Sequence, residues 1–470
     1  MSVHRIARHC LVAALMALPA TAFAQGFGLN EIGTCAIGRG YAVTGSPCKD
    51  ASTIYWNPAY AAALTGNSLL VGGSSIAVTG SFTRDSSLGR YAGQVPTSYP
   101  VHFFFNHRQN EQWAWGLGVY VPYGLTSQWG NDFPGRFLAK KASIATLYFQ
   151  PNIAYKINDN WMIGGGPIIG HSSVELIQSI DLSSQVAAVD PVAGPITFGQ
   201  LGIARGTEFA RGTLKGSAYS YGFTLGIYGK LSDHWTMGAR YLSSLNFNYK
   251  NGKATFQQIP TGLTLAAGNI FGPGETSLPA GTPMDALLTS QFSSGALVSQ
   301  GGTTELAHPD QAELGVSYDG FDRWLLSADY AWIGWKRFHE LDIHFANPAL
   351  GTQTEVSDYN NSSAIRLGAQ YSMRNDWQLR FGYAGVATPA PDASVTPLLP
   401  DQDRANYTAG IGIPLHQGLT LDASYAYVWT PGRRGRIVGR TSIDQTAAQL
   451  NSGVYHLQAN IFSLSLKASF

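Results

Sequence analysis

Two places in this sequence hold side chains whose types and spacing could do chemistry. His171-Ser172-Ser173 sets an imidazole beside two hydroxyls, the raw material of a nucleophile and its base. Neighbouring residues of a strand point to opposite faces, and no third partner is placed, so a barrel enzyme has no geometry behind it. Cys35 and Cys48 form the second place. In an oxidising, exported compartment a pair this close in sequence reads as a disulfide before a metal site or a nucleophile. Zinc would need two further ligands, and no nearby His supplies them. No phosphate loop, metal motif or energy-coupling box is recognisable, so the sequence implies no cofactor, no metal and no enzyme. Net charge is +1, falling to about −1 without Arg5 and Arg8, and no basic stripe supports a nucleic-acid partner.

The elements that must position these residues begin with an export signal. Arg5 and Arg8 precede an apolar run from Leu11 to Ala20, and Ala22-Phe23-Ala24 is a small-x-small cleavage site. Residues 1–24 therefore read as a signal peptide, with the mature chain starting near Gln25. No later apolar run reaches the roughly 18 residues that a membrane helix needs. Charged residues are only 13% of the chain, about half the usual share, while Gly (54) and aromatics (12%) abound. That balance suits strands that are apolar on one face, as in a membrane β-barrel.

From Ser68 onward fourteen strand-like runs can be counted. They lie near 68–82, 97–108, 112–126, 142–157, 160–178, 213–230, 234–250, 303–318, 323–338, 361–373, 376–388, 404–414, 418–429 and 454–470. Short polar turns such as Arg108 to Glu111 and Asn158 to Asn160 alternate with long connections at 179–212, 253–302, 339–360, 389–403 and 430–453. Trp113, Trp161, Trp235, Trp324 and Trp377 each follow a short turn closely, as an interfacial girdle would. The expected fold is all-β, a 14-stranded antiparallel transmembrane β-barrel over 68–470 in a Gram-negative outer membrane, with its short turns on the periplasmic side. A sandwich or propeller does not predict this alternation.

Two segments stand apart. The last strand is apolar at odd positions from Tyr455 to Ile461 and at even ones from Phe462 onward. Either a bulge lies near Ile461 or the upper part faces an apolar lumen. Residues 25–67 are not strand-like and are expected to fill the barrel as an N-terminal plug, or hatch.

At this point the chain resembles the outer-membrane long-chain fatty acid transporter family of the FadL/TodX type, which includes relatives that take up aromatic hydrocarbons. The resemblance rests on Gly26-Phe27-Gly28-Leu29-Asn30-Glu31, Gly38-Arg39-Gly40-Tyr41, the hatch motif Asn57-Pro58-Ala59, and Pro400-Asp401-Gln402-Asp403-Arg404 after a Trp-led strand. It implies a 14-stranded barrel and passive transport of a hydrophobic small molecule, with outer-membrane lipid as the destination. The alternating C-terminal strand ending on Phe470 resembles the signature read by the barrel-assembly machinery. Ligand would land in an apolar groove of the loops 179–212 and 253–302, with Phe198, Leu263, Leu265, Ile270, Phe271, Leu287 and Phe292 as candidates. It would leave sideways through a kink in strand three, where Gly116, Gly118 and Pro122 weaken the ladder.

A ligand carboxylate would want a basic partner. Where fatty-acid importers carry basic residues, this chain reads Ser173 and Asp342, leaving Arg39, Arg240, Arg366 and Arg380 as candidates. Uptake of neutral aromatic hydrocarbons is therefore the alternative to long-chain fatty acids. A polar-solute porin fits less well, because its lumen should be rich in charge. Thiol labelling of unreduced, denatured mature protein should find neither Cys35 nor Cys48 free; stoichiometric labelling of both would exclude the pairing.

Overall fold

The computed structural model describes residues 26–190, 194–271, 277–435 and 451–470. The leader expected over 1–24 and most of the connection 430–453 lie outside the described residues. The strands are β1 (Asn67–Arg84), β2 (Val101–Arg108), β3 (Trp113–Tyr120, resuming as Gly124–Gln128), β4 (Lys141–Lys156), β5 (Trp161–Asp181), β6 (Glu208–Lys230) and β7 (Trp235–Leu242 and Leu245–Gln258). They continue as β8 (Gln300–His308 and Gln311–Phe321), β9 (Trp324–Ile333 and Glu340–Phe345), β10 (Thr352–Val356 and Ser362–Ser372), β11 (Gln378–Val386), β12 (Arg404–His416), β13 (Leu419–Trp429) and β14 (Gly453–Ser469). Each is antiparallel to its neighbours in sequence, and β14 pairs back onto β1 from Ser68↔Ser469 to Arg84↔Gly453, closing a 14-stranded barrel. Closing β14 onto β1 leaves the sheet without a free edge strand, as lipid demands.

The side chains alternate as a membrane wall requires. On β6, Tyr219, Tyr221, Phe223, Leu225 and Ile227 face out, while Ala218, Ser220 and Thr224 between them are buried. The register between β1 and β14 runs unbroken, so there is no bulge near Ile461. Instead the odd face of β14 points inward throughout, apolar from Tyr455 to Ile461 and then hydroxyl at Ser463 and Ser465. Short turns close by the same local device. The Asn110 carboxamide accepts from the Gln112 and Trp113 amides (2.9 and 2.8 Å), and Asn158 accepts from Asn160 and Trp161 (both 2.9 Å).

The segment 26–66 packs against the inner wall through two short helices, α1 (Thr34–Gly38) and α2 (Thr53–Trp56), and a 3₁₀ turn over Pro58–Ala63. Asn57 is fully buried and ties three things together. Its Oδ1 caps the 3₁₀ turn at the Ala59 amide (3.3 Å), and its Nδ2 donates to the carbonyls of Thr44 and of Ile227 in β6 (both 3.0 Å). A Cys35–Cys48 disulfide with a Cα separation of 6.3 Å closes the intervening loop. The wall beneath is glycine where the segment's backbone touches it. A Cβ on Gly238 would lie 2.0 Å from the Thr44 oxygen, and one on Gly382 would lie 2.1 Å from the Gly40 nitrogen. No larger residue fits at either position.

Glu313 of β8 anchors the contact electrostatically. It accepts from Arg240 (3.1 Å), Arg366 (3.0 Å) and the Thr44 hydroxyl (3.1 Å), all inside the barrel and away from solvent. Removing one partner of such a cluster leaves uncompensated buried charge, worth about 3–5 kcal/mol. Glu313→Gln should therefore lower unfolding stability by about 3 kcal/mol. Replacing Glu313, Arg240 and Arg366 together by apolar residues should cost less than that single change. Denaturant unfolding from lipid vesicles measures both, and a silent Glu313→Gln would show that the charges are wetted.

Candidate functional site

The site begins where the barrel wall is incomplete. Pairing of β2 with β3 ends at Phe103↔Val119. Beyond it, contact returns only near the rim, at the bridge Gly93↔Trp129 and where the Gln94 amide donates to the Gln128 carbonyl (2.7 Å). In between, β3 breaks at Val121-Pro122-Tyr123 and turns toward the lumen. There the N-terminal segment takes over the vacated partners. The Leu29 amide donates to the Pro122 carbonyl (2.8 Å), and the Gly124 amide donates to that of Phe27 (3.0 Å). The Pro122 carbonyl and the Gly124 amide thus keep partners where the ladder is interrupted.

A cavity of about 440 Å³ lies behind this break. Its lumen side is apolar, formed by Ile76, Val78, Val386, Val428, Leu457, Ala459 and Ile461. Its wall side is Val95, Pro96, Tyr99, Val121 and Leu125, with Tyr99 70% exposed at the outer surface. Gly28 to Glu31 form part of the lining. The charged groups of the lining, Glu31, Asp401 and Arg404, lie beside Gly26 to Glu31. Arg404 donates to the Gly26 carbonyl (3.0 Å) and pairs with Asp401 (3.2 Å). The buried Glu31 carboxylate accepts from the Asn30 amide (3.0 Å) and the Tyr41 hydroxyl (3.3 Å). Burial pushes the Glu31 carboxyl above its usual range, opposed by these hydrogen bonds and by the Arg404 guanidinium.

The kink residues divide. Pro122 is in the break, but Gly116 and Gly118 are not, a correction to the expected strand-three kink. Both lie in regular ladder, opposite Asn106 and Phe104. Their missing side chains make room instead, since a Cβ would meet Ile54 of the N-terminal segment at 2.7 Å and Phe104 at 2.8 Å.

The four candidate arginines are all buried and engaged inside the protein. Arg39 donates to the Ser327 hydroxyl (2.6 Å) and to the Ser46 carbonyl (2.9 Å), Arg240 and Arg366 hold Glu313, and Arg380 pairs with Asp422. None lines the cavity. Arg404 does, and sequence reasoning passed over it although it closes the Pro-Asp-Gln-Asp-Arg string.

The outer loops hold a second cavity of about 780 Å³, lined in part by Ile180, Ile203, Phe256, Leu297 and Leu350. None of the seven candidate loop residues lines it. Phe198 stacks on Phe271 (5.5 Å between centroids), Phe292 meets Phe209 edge-on (6.3 Å), and Leu263 and Leu265 pack into the same cluster, while Ile270 and Leu287 stay exposed. Apolar side chains from two loops bury one another where they can, leaving less greasy surface than their sequence suggests. His171 faces out against Tyr219 and Ser172 faces in toward Tyr249, so the two are not a catalytic pair.

Residues 15–470 match the family described as "Outer membrane protein transport protein (OMPP1/FadL/TodX)". The "Long-chain fatty acid transport protein" of Salmonella typhi is 25% identical over 427 residues, 90% of this chain and 91% of that one. The "47 kDa outer membrane protein" of Pasteurella multocida is 24% identical over 428 residues, 89% of this chain and 90% of that one. Among solved structures, a Pseudomonas aeruginosa FadL homologue superposes with a TM-score of 0.78 at 22% identity, covering 95% of this chain and all 100% of that one. The Pseudomonas putida toluene transporter TodX gives 0.64 at 16% identity, covering 95% and 100%.

The Glu31 environment makes a pH-dependent prediction. An acid whose folded pKa is raised contributes stability below its ordinary value of 4.5 and loses it as pH rises through the folded value. Glu31→Gln should therefore protect the 26–66 segment from protease more than wild type at pH 7, and equally near pH 4. Equal protection at both values would mean that the carboxylate is fully solvated.

Proposed function

The chain belongs to the OMPP1/FadL/TodX family of outer membrane transport proteins, and we propose that it moves long-chain fatty acids passively into the outer membrane by a sideways route. The observation that carries this reading is the cavity, apolar on its lumen side, that ends at the interrupted ladder between β2 and β3. The fatty-acid assignment draws on curated relatives of that name across most of the chain.

In this reading ligand enters through the outer-loop groove and passes to the 440 Å³ cavity. A carboxylate would approach Arg404, exchanging with Asp401 or the Gly26 carbonyl. Residues 25–67 act as the plug that closes the straight path to the periplasm. Release straight into water would restore about 0.8 kcal/mol of hydration cost per CH₂, roughly 8 kcal/mol for ten. Sideways exit past Tyr99 and Val121 avoids that cost, once the Phe27 to Leu29 strand lets go of Pro122 and Gly124. Gradient and partitioning supply the drive. Assembly into the membrane would proceed through recognition of the exposed Phe470, whose backbone pairs with Asn67.

One observation favours neutral aromatic hydrocarbons as a second reading. Arg404 is the one cation lining the cavity among the described residues, and it is already paired.

Uptake of labelled oleate and toluene in cells lacking other importers separates these readings. Val121→Trp, at the wall gap, and Leu457→Trp, filling the lumen side, should each cut uptake of both ligands at least tenfold. Arg404→Gln should cut oleate uptake about tenfold, about 1.4 kcal/mol, and spare toluene. Normal oleate uptake by a folded Val121→Trp barrel would reject the sideways route. Equal loss of both ligands in Arg404→Gln would reject carboxylate recognition.

A further inference from the structure

We propose that the outward face of β4 to β7 carries a binding site for the phosphorylated headgroup of an outer-leaflet glycolipid. The inference is independent of what the lumen transports.

The outward apolar row of β6 runs from Tyr219 to Leu231. At about 3.3 Å per residue and a tilt of about 40°, it spans roughly 30 Å, the depth of the hydrocarbon. Lys215 is the outward residue next beyond this row and Ser217, on the long-loop side, so it sits at headgroup level. A belt of charge crosses four strands there. Lys141 of β4 pairs with Glu175 of β5, and Lys215 of β6 reaches the other oxygen of the same carboxylate at 2.8 Å. Lys253 of β7 lies directly opposite Lys215 in the ladder. Lys250 and Lys253 are both exposed, and neither has a carboxylate partner among the described residues.

Two features set this arrangement apart from an ordinary solvated face of mixed charge. Like charges directly opposite on neighbouring strands repel, a cost that a bound anion would cancel. The second feature is backbone. The register of β7 against β8 shifts between Tyr249 and Gly252, a bulge that falls on Lys250 and Asn251. Before it, Asn246, Asn248 and Lys250 face out; after it, Asn251 and Lys253 do. Without the extra residue Lys250 and Lys253 would point to opposite sides of the wall. The bulge aims both ammonium groups at the lipid.

Of the four ammoniums, Lys141 and Lys215 share the Glu175 carboxylate, while Lys250 and Lys253 make no ion pair among the described residues, the nearest acid on β8 being Glu305 opposite Asn248. Beyond β7 the outer rim changes sign, with Glu305, Glu340, Asp342 and Glu355 on β8 to β10. Lysines with a carpet of Tyr219, Tyr221 and Phe223 directly below match a lipid whose phosphates sit above several acyl chains. The outer leaflet of this membrane supplies such a molecule in the phosphorylated glycolipid lipid A.

Native mass spectrometry of the full-length purified barrel in detergent tests the site, with three probes. These are lipid A bearing two phosphates, the same lipid dephosphorylated, and inorganic phosphate. Wild type should retain bisphosphorylated lipid A at least tenfold more tightly than Lys215→Gln/Lys250→Gln/Lys253→Gln. Glu175→Gln should bind it severalfold more tightly than wild type. Heat-modifiability on gels confirms that each variant is folded; should the triple variant fail to fold, Lys253→Gln alone and Glu175→Gln give the opposed shifts. Equal retention by wild type and lysine variants, or equal binding of dephosphorylated lipid, would overturn the proposal. So would occupancy by inorganic phosphate without retention of the lipid.

Discussion

The constraint on which this structure depends is that lipid offers no hydrogen bonds. Every amide and carbonyl at membrane depth must find a partner in the protein, and a closed sheet is one way to provide them. A sealed wall cannot also be an exit. At Val121-Pro122-Tyr123 the ladder is interrupted, and there Leu29 and Phe27 take the Pro122 carbonyl and the Gly124 amide. The N-terminal segment thus stands in for a strand at the break as well as packing inside the barrel.

The lumen is divided by chemistry in a way that follows from this. Where segment 26–66 must stay, the wall offers bare glycine, the Asn57 carboxamide and the buried Glu313 cluster, all of which reward one position only. Where the cavity lies, the wall offers Val428, Leu457, Ala459 and Ile461, whose contacts are non-directional. Directional bonds hold a fixed partner; apolar surface accepts a moving one. Charged groups between the two zones, Glu31, Asp401 and Arg404, sit at the boundary where the N-terminal segment meets the cavity.

Much of this was legible in the residues. Period-two patterning, Trp-marked turns and the alternation of short and long connections gave fourteen strands with nearly the observed limits, because each is a local property of a strand half in lipid. The parity change in β14 also carried real information: odd apolar residues up to Ile461 marked the apolar part of the lumen. Glycine was less readable. Gly116 and Gly118 looked like a weakness in the ladder, but they are clearance for Ile54 and Phe104, and a missing side chain does not say what occupies its place. The arginines failed for a similar reason. A basic residue wants a carboxylate, and sequence does not tell whether that carboxylate is a ligand's or that of Glu313 or Asp422.

By itself, then, the sequence determined the barrel, its strand number and the segment that does not join the wall. These rest on periodicity and turn chemistry, which act between residues near in the chain. Only the tertiary structure decided where the ladder is interrupted, which cation faces the cavity and which apolar loop residues cover one another. Each of those is set by contacts between segments far apart in sequence: Leu29 with Pro122, Gly26 with Arg404, Phe198 with Phe271. A side chain's role there depends on its partner, and the partner is chosen by closing the barrel.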